Sequence, residues 1–353
     1  MRILIIDTCY PAFLKSHYRS NPGLERRPYP EQWRALMDTS FGTADAYSHN
    51  LAALGHDAHE VVANCDLLQR SWAHEQGLPE ARGEEIVLAQ MRELEPDIVY
   101  VQNITFPSDR LLSEIRRSGA LVVGQIASEP PRPARLQAFD LLLTSFPHFV
   151  ERFRELGIDA ECLRIGFDER VLDRLAAEDV ISSASGAVFV GALNRTQHRA
   201  ANAVLARAAK RAPIDFWGYG AHTWPPWSPI RRRYHGQAWG IEMFRILRGA
   251  RIALNRHIAV AERNANNMRL YEATGVGTLL LTDARDNLSE LFEPSLEVVT
   301  YADEDELVER VRHYLAHEDE RRAIARAGQE RTLREHTYGV RMRELVSILE
   351  ARL

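Results

Sequence analysis

The chain has 353 residues, and at roughly 150 residues per domain that length predicts two domains. Hydrophobic residues make up 45% and charged residues 26%, while 20 Gly and 16 Pro are near average, which supplies two cores and excludes disordered and collagen-like chains. A net charge of −5 and an isoelectric point near 6.2 argue against a dedicated nucleic-acid binder, which carries a basic excess.

The opening MRILIID has too short an apolar run for a signal peptide and reads as a buried first strand. No run approaches the ~18 apolar residues of a membrane span. Cys9, Cys65 and Cys162 form neither a disulfide framework nor a C-x-x-C knuckle. A cytoplasmic, soluble and unprocessed chain is expected.

Short apolar runs at Ile3–Ile6, Ile98–Val101, Leu121–Ile126 and Leu141–Thr144 suit parallel strands covered on both faces. Helical patterns lie between them: Thr43–Leu54 stopped by Gly55, Gly83–Glu95 before Pro96, Asp109–Ser118 before Gly119, and Pro147–Leu156 stopped by Gly157. The segment Tyr10–Thr39 reads as long and irregular and is expected to be an acceptor-binding lid. Ala176–Ser185 is polar and small and reads as a linker. A second series follows: AVFVGAL, a helix over Thr196–Ala212, IDFWGYG, RIALN, TLLLTD and EVVTY. Near the end, Asp303 with Glu306 makes a capping box, and Met342, Leu345, Val346 and Leu349 form one stripe. The fold class is α/β, with two doubly wound, Rossmann-like domains facing across a cleft at the carboxyl ends of their strands.

No G-x-G-x-x-G follows the first strand, and GxxxxGK[ST], H-E-x-x-H and G-x-S-x-G are all missing, which disfavours nicotinamide dehydrogenases, P-loop enzymes and the matching hydrolases. The most informative stretch is NMRLYEATGVGTLLLTD (Asn267–Asp283), a helix, a glycine stop and a buried strand. Arg269 and Glu272 share a helix face there, as either an ion pair or part of a site. Gly191 ends a strand and lets backbone approach a ligand, and Arg195 and His198 stand at the mouth of the next helix, whose free N–H groups suit a phosphate. Trp217, Gly218 and Tyr219 follow a short strand, where an aromatic serves either as core or as a stacking face for a base. Asn255 ends the RIALN strand.

The chain resembles the glycosyltransferases of the GT-B fold, specifically the group related to the spore maturation protein CgeB, which is similar to the broad glycosyltransferase family 4. The resemblance rests on VFVGALNRTQHR, DFWGYG, YHGQAWGIEMFRILRGARIALN, NMRLYEATGVGTLLLTD, DELVERV and REHTYGVRM; the first half matches in pattern only. It implies transfer of a sugar from a nucleotide-sugar donor to an unidentified small-molecule, glycan or protein acceptor. A UDP-sugar is the first expectation, with GDP- and dTDP-sugars as alternatives. It also implies an acceptor domain over 1–180, a donor domain over 186–335, and a last helix over 336–353 that crosses back to the first domain. Glu272 aligns with the family glutamate that binds the donor ribose. The second family glutamate is replaced by Asn264, so Arg263 or Asn267 takes its place.

The donor-binding candidates are therefore Gly191, Arg195, His198, Trp217, Gly218, Tyr219, Asn255, Asn267, Arg269 and Glu272. Gly42, Thr43, Gln102 and Asn103 are the acceptor-side candidates. An inverting reaction needs a base, for which His17 and Glu129 are the candidates, whereas a retaining one needs none. No acidic D-x-D pair lies in a suitable loop, so no metal and no resident cofactor are expected, and fixed cations with a helix N-terminus take the diphosphate charge. The basic triplet Arg231–Arg233 reads as a solvated loop, with contact to an anionic membrane surface as the alternative. Two rival readings are a two-lobed binding protein without catalysis and a sugar-nucleotide isomerase of the same fold.

Overall fold

The computed structural model describes residues 1–176, 186–196 and 198–353. They form two units, Met1–Arg164 with Arg341–Leu353, and Ile165–Val340. Apart from Ala176, which ends the helix Arg170–Ala176, the expected linker Ala176–Ser185 lies outside the described residues.

The first unit is built on six strands: β1 (Arg2–Asp7), β2 (Asp57–Val62), β3 (Ile98–Val101), β4 (Leu121–Gln125), β5 (Leu141–Thr144) and β6 (Ala160–Cys162). They pair in the order β2-β1-β3-β4-β5-β6, with every pair parallel. Ile3, Leu4, Ile5 and Ile6 are all buried, as a strand covered on both faces requires. β2 and β6 are the two edges, and their sequences DAHEVV and AEC are half polar, so neither gives a continuous apolar signal. The tail is fastened at the β6 edge, where Arg352 donates to both Asp159 oxygens (2.6 and 3.0 Å) and to Glu161 (3.1 Å).

Most of Tyr10–Thr39 is helical, which corrects the expectation that the segment is irregular. Helices run over Pro11–Ser20 and Tyr29–Met37. Each begins with a proline in its first turn, where the missing N–H costs no hydrogen bond. Phe13 and His17 in one, and Gln32, Leu36 and Met37 in the other, are buried.

The second unit repeats the architecture with β7 (Ala187–Ala192), β8 (Ile214–Tyr219), β9 (Tyr234–Gly236), β10 (Ile252–Leu254), β11 (Leu279–Asp283) and β12 (Val299–Tyr301). Their order is β12-β11-β10-β7-β8-β9, again with every pair parallel. Strand alternation sorts the core into two layers. Ala187, Phe189, Ile214, Phe216, Ile252, Leu254, Leu279 and Leu281 pack on one face. Val188, Val190, Trp217, Ala253 and Leu280 pack on the other. Asp303 caps the helix Glu304–Ala316 by accepting from the Glu306 N–H (2.9 Å), and Glu306 reaches back to the Ala302 N–H (2.8 Å).

Candidate active site

The order of the second sheet locates its ligand crevice. The chain adds β8 and β9 on one side of β7, then returns to place β10 on the other. The carboxyl ends of β7 and β10 therefore border a topological switch point, where open α/β sheets bind ligands. Asn255, which leaves β10, joins a polar network with β11, β12 and the start of the helix Met268–Gly275. Buried Asn255 donates to Thr282 Oγ1 (3.0 Å) and accepts from Asn267 Nδ2 (3.0 Å). Asn267 also donates to the Arg256 carbonyl (3.2 Å), and its own oxygen caps the helix Met268–Gly275 at the Leu270 N–H (3.3 Å). The Tyr301 hydroxyl donates to the Asn255 carbonyl (2.8 Å). Asn255 and Asn267, singled out separately in the sequence, are thus direct partners.

One turn along that helix, Arg269 and Glu272 form an ion pair at 2.9 Å, their side chains 14% and 10% exposed. Arg269 also donates to the Val190 carbonyl near the end of β7 (3.0 Å) and meets Met243 Sδ. Burial raises the Glu272 pKa, and the Arg269 charge opposes that rise. Glu272 Oε2 is committed to Arg269; Oε1 bonds no described residue and is not sealed from solvent.

At the ends of β7 and β8 the two backbones touch. A Cβ on Gly218, whose φ is +121°, would lie 2.0 Å from the Gly191 carbonyl oxygen. A Cβ on Gly220, at φ +85°, would lie 2.7 Å from the Asn194 nitrogen. Only glycine fits either place. Beyond this junction, Thr223 Oγ1 accepts from the Arg195 N–H (2.9 Å), and the exposed Arg195 guanidinium lies over the Trp224 ring. The helix expected over Thr196–Ala212 runs over Arg199–Ala208. His198 is its N-cap, in the left-handed region at φ 55° with no side-chain cap bond. Burial and the Arg256 charge lower the His198 pKa. Trp217 is a core residue stacked on His235 (4.4 Å), whereas half-buried Tyr219 stacks on Trp239 (5.8 Å).

Two groups here went unnoticed in the sequence. Arg256, directly after Asn255, donates through Nη2 to the Ala192 carbonyl (3.1 Å) and to Asn202 Oδ1 (2.8 Å). His257 presents its backbone N–H (3.0 Å) and Nδ1 (2.7 Å) to the same Asp283 oxygen, while Arg285 holds the other. Burial works to raise the Asp283 pKa, but its bonds to His257 and the Arg285 charge bring it below the usual value. The signal for both lies in strand order, because residues just past a strand bordering the switch point stand at the crevice where open α/β sheets bind ligands.

In the first unit the same reversal falls between β1 and β3. Thr43 Oγ1 donates to Gln102 Oε1 (3.0 Å), and Asn103 Nδ2 donates to Thr8 Oγ1 (2.8 Å). Exposed Gly42 adopts φ 65° just before Thr43. Asp7, not singled out in the sequence, closes β1 with a pKa that burial raises from 3.8 to about 6. His17 lies on the buried face of its helix against Phe13 and Tyr18, its pKa lowered by burial. Glu129 is exposed in the segment after β4. The structure brings neither residue into these hydrogen-bonded pairs. Among the described residues, no group of three or more His, Cys, Asp or Glu side chains is arranged to hold a metal, and no helix is long and apolar enough to cross a membrane.

Residues 195–347 match the family described as glycosyl transferase-like. No curated protein matches the chain in sequence. Solved structures resemble it over nearly its whole length. HepE (Alr3699) from Anabaena, in complex with UDP-glucose, is 12% identical with a TM-score of 0.64, over 99% of this chain and 100% of that one. Sucrose-phosphate synthase from Thermosynechococcus elongatus is 13% identical with a TM-score of 0.58, over 100% of both chains. A glycosyltransferase from Rickettsia africae is 12% identical with a TM-score of 0.60, over 98% of this chain and 97% of that one. At such identities these likenesses concern the fold, and the family match concerns the second half. Residues 195–347 are thus similar to the glycosyl transferase-like family, and the chain has the two-domain α/β architecture of the GT-B fold.

Proposed function

We propose that the chain takes its sugar from a nucleoside-diphosphate sugar held by the second unit and transfers it to an acceptor hydroxyl. The observation that carries this reading is the Arg269–Glu272 pair, docked on the Val190 carbonyl beside the switch point with one Glu272 oxygen uncommitted. A carboxylate oxygen in that state accepts from ribose hydroxyls, and Arg269 orients it. The complexes of the similarly folded HepE with UDP-glucose and with UDP support a uridine donor as the first choice. The Tyr219–Trp239 pair offers a flat aromatic face for the base. Gly191 lets the backbone approach the ligand.

In the transfer, the acceptor oxygen bonds the anomeric carbon. The bond from that carbon to the diphosphate breaks, and its electron pair stays on the phosphate oxygen. The acceptor proton leaves to a base. Negative charge thus grows on the diphosphate, where preorganised donors do most for the rate. Arg195, His198 and the free N–H groups opening the helix Arg199–Ala208 supply such donors. The proposed chemistry needs no metal.

The test is incubation with labelled UDP-, GDP- and dTDP-sugars, with and without cell extract as acceptor source, followed by EDTA treatment. Release of nucleoside diphosphate that depends on extract and survives EDTA is expected. Complete loss in EDTA with rescue by a divalent ion would overturn the metal-free transfer, and binding without turnover would overturn transfer itself.

A further inference from the structure

Arg269, Arg195 and Arg256 of the second unit differ in how their charge is balanced. Arg269 is paired with Glu272 at 2.9 Å. Arg195 is exposed and needs no partner. Arg256 is half-buried with its Nε sealed from solvent, and it forms no ion pair with any described residue.

Its acceptors, the Ala192 carbonyl and the Asn202 amide oxygen, are neutral and use only Nη2. Nε has no acceptor, and Nη1 donates to no described residue. The guanidinium carbon lies 5.5 Å from the centre of the Phe189 ring, a weak favourable contact. Asp283, whose field reaches Arg256, is already held by His257 and Arg285. A cation kept out of water costs free energy unless an opposite charge lies against it. Burial also lowers the Arg256 pKa, the direction expected of a cation whose counter-charge is missing.

We propose that Arg256 is a further residue whose charge meets the diphosphate of the nucleotide donor, beside Arg195 and His198, at the carboxyl ends of β7 and β10. The inference rests on the nucleotide-sugar reading and adds to it a residue that lies outside the motif carrying Arg269 and Glu272. The Ala192 carbonyl and Asn202 Oδ1 both hold the guanidinium through Nη2. The two hydrogen bonds of His257 to Asp283 fix the backbone next to Arg256. Asp283 is therefore a positioning residue for Arg256.

The experiment is calorimetric titration of the full chain and of Arg256→Gln with UDP and with uridine, which lacks the phosphates. A charged hydrogen bond lost at this site should weaken UDP binding by about 10- to 150-fold, with uridine affinity unchanged. UDP affinity unchanged in Arg256→Gln overturns the proposal while leaving the donor reading in place. Equal losses of UDP and uridine also overturn it, because they show a structural role only. Failure of the unaltered chain to bind UDP, GDP or dTDP removes the donor reading and the proposal with it. Should Arg256→Gln fail to fold, side-chain NMR of the unaltered chain labelled with ¹⁵N-arginine gives the same answer, with Arg256→Lys used for assignment. The Arg256 guanidinium signals should shift with UDP and not with uridine, and signals unmoved by saturating UDP overturn the proposal.

Discussion

Glu272→Ala tests the central ion pair, and its cost can be worked from the geometry. The pair sits at 2.9 Å with side chains only 14% and 10% exposed. Removing the carboxylate leaves Arg269 with the Val190 carbonyl and Met243 sulfur but no counter-charge. Breaking a buried pair from one side costs about 3–5 kcal/mol. At about 2–4 °C per kcal/mol for a body of 150–250 residues, the second unit should melt ~6–20 °C lower. The loss belongs to the orphaned charge rather than to packing, so Arg269→Met with Glu272→Leu should recover most of it. Urea unfolding of the single and double variants reads both quantities. A single-variant cost within about 0.5 kcal/mol of zero, as at an ordinary surface site, or a double variant that costs the sum of the singles, would refute the reasoning. Nucleotide affinity is better read in Glu272→Gln, which keeps one carbonyl oxygen beside Arg269.

Further outcomes follow from other parts of the molecule. Asp7 takes up its proton more readily in the folded chain, at about 6 against 3.8. Its burial therefore destabilises the fold above pH 6, and that stability returns as pH falls from 6 towards 4. Asp7→Asn should raise stability at pH 7.5 by at most ~3 kcal/mol and by much less at pH 4, as read by urea unfolding at both; an equal gain at both would show that the carboxyl is not perturbed. Gly218→Ala puts a methyl 2.0 Å from the Gly191 oxygen at φ +121° and should cost about 3 kcal/mol or more by strain and overlap; an unchanged melting temperature would mean the β7–β8 junction is looser than described. Asp303→Ala removes a helix cap and should cost about 1 kcal/mol without changing nucleotide affinity, as unfolding and calorimetry would show.

The sequence was most readable where one residue type answers to one local cause. Ile98–Val101 and Leu141–Thr144 are strands with the expected bounds because central parallel strands must be apolar on both faces. The capping box at Asp303 is local chemistry and appears as expected, whereas the helix expected to stop at Gly275 runs through it, and the left-handed glycine that follows is Gly277. Edge strands β2 and β6 were hidden because one side of an edge meets solvent or a helix, so polar residues are tolerated. The helices of Tyr10–Thr39 were missed because Pro11 and Pro30 read as breakers, although they stand in first turns. In the site, Asn255, Asn267, Arg269 and Glu272 were visible through their motif. Arg256, His257 and Asp283 were not, because their roles depend on β10 lying beside β7, a neighbour 65 residues away in sequence (Ile252 beside Ala187) that only strand order reveals.

Hydrogen exchange of the full chain, followed by mass spectrometry with and without saturating UDP, GDP and dTDP, is the most direct measurement of whether the second unit's switch point binds the nucleotide. The account predicts that at least one nucleotide slows exchange over Gly191–Asn194 and Asn255–Glu272. Slowed exchange confined to the first unit, or none with any of the three, would contradict it.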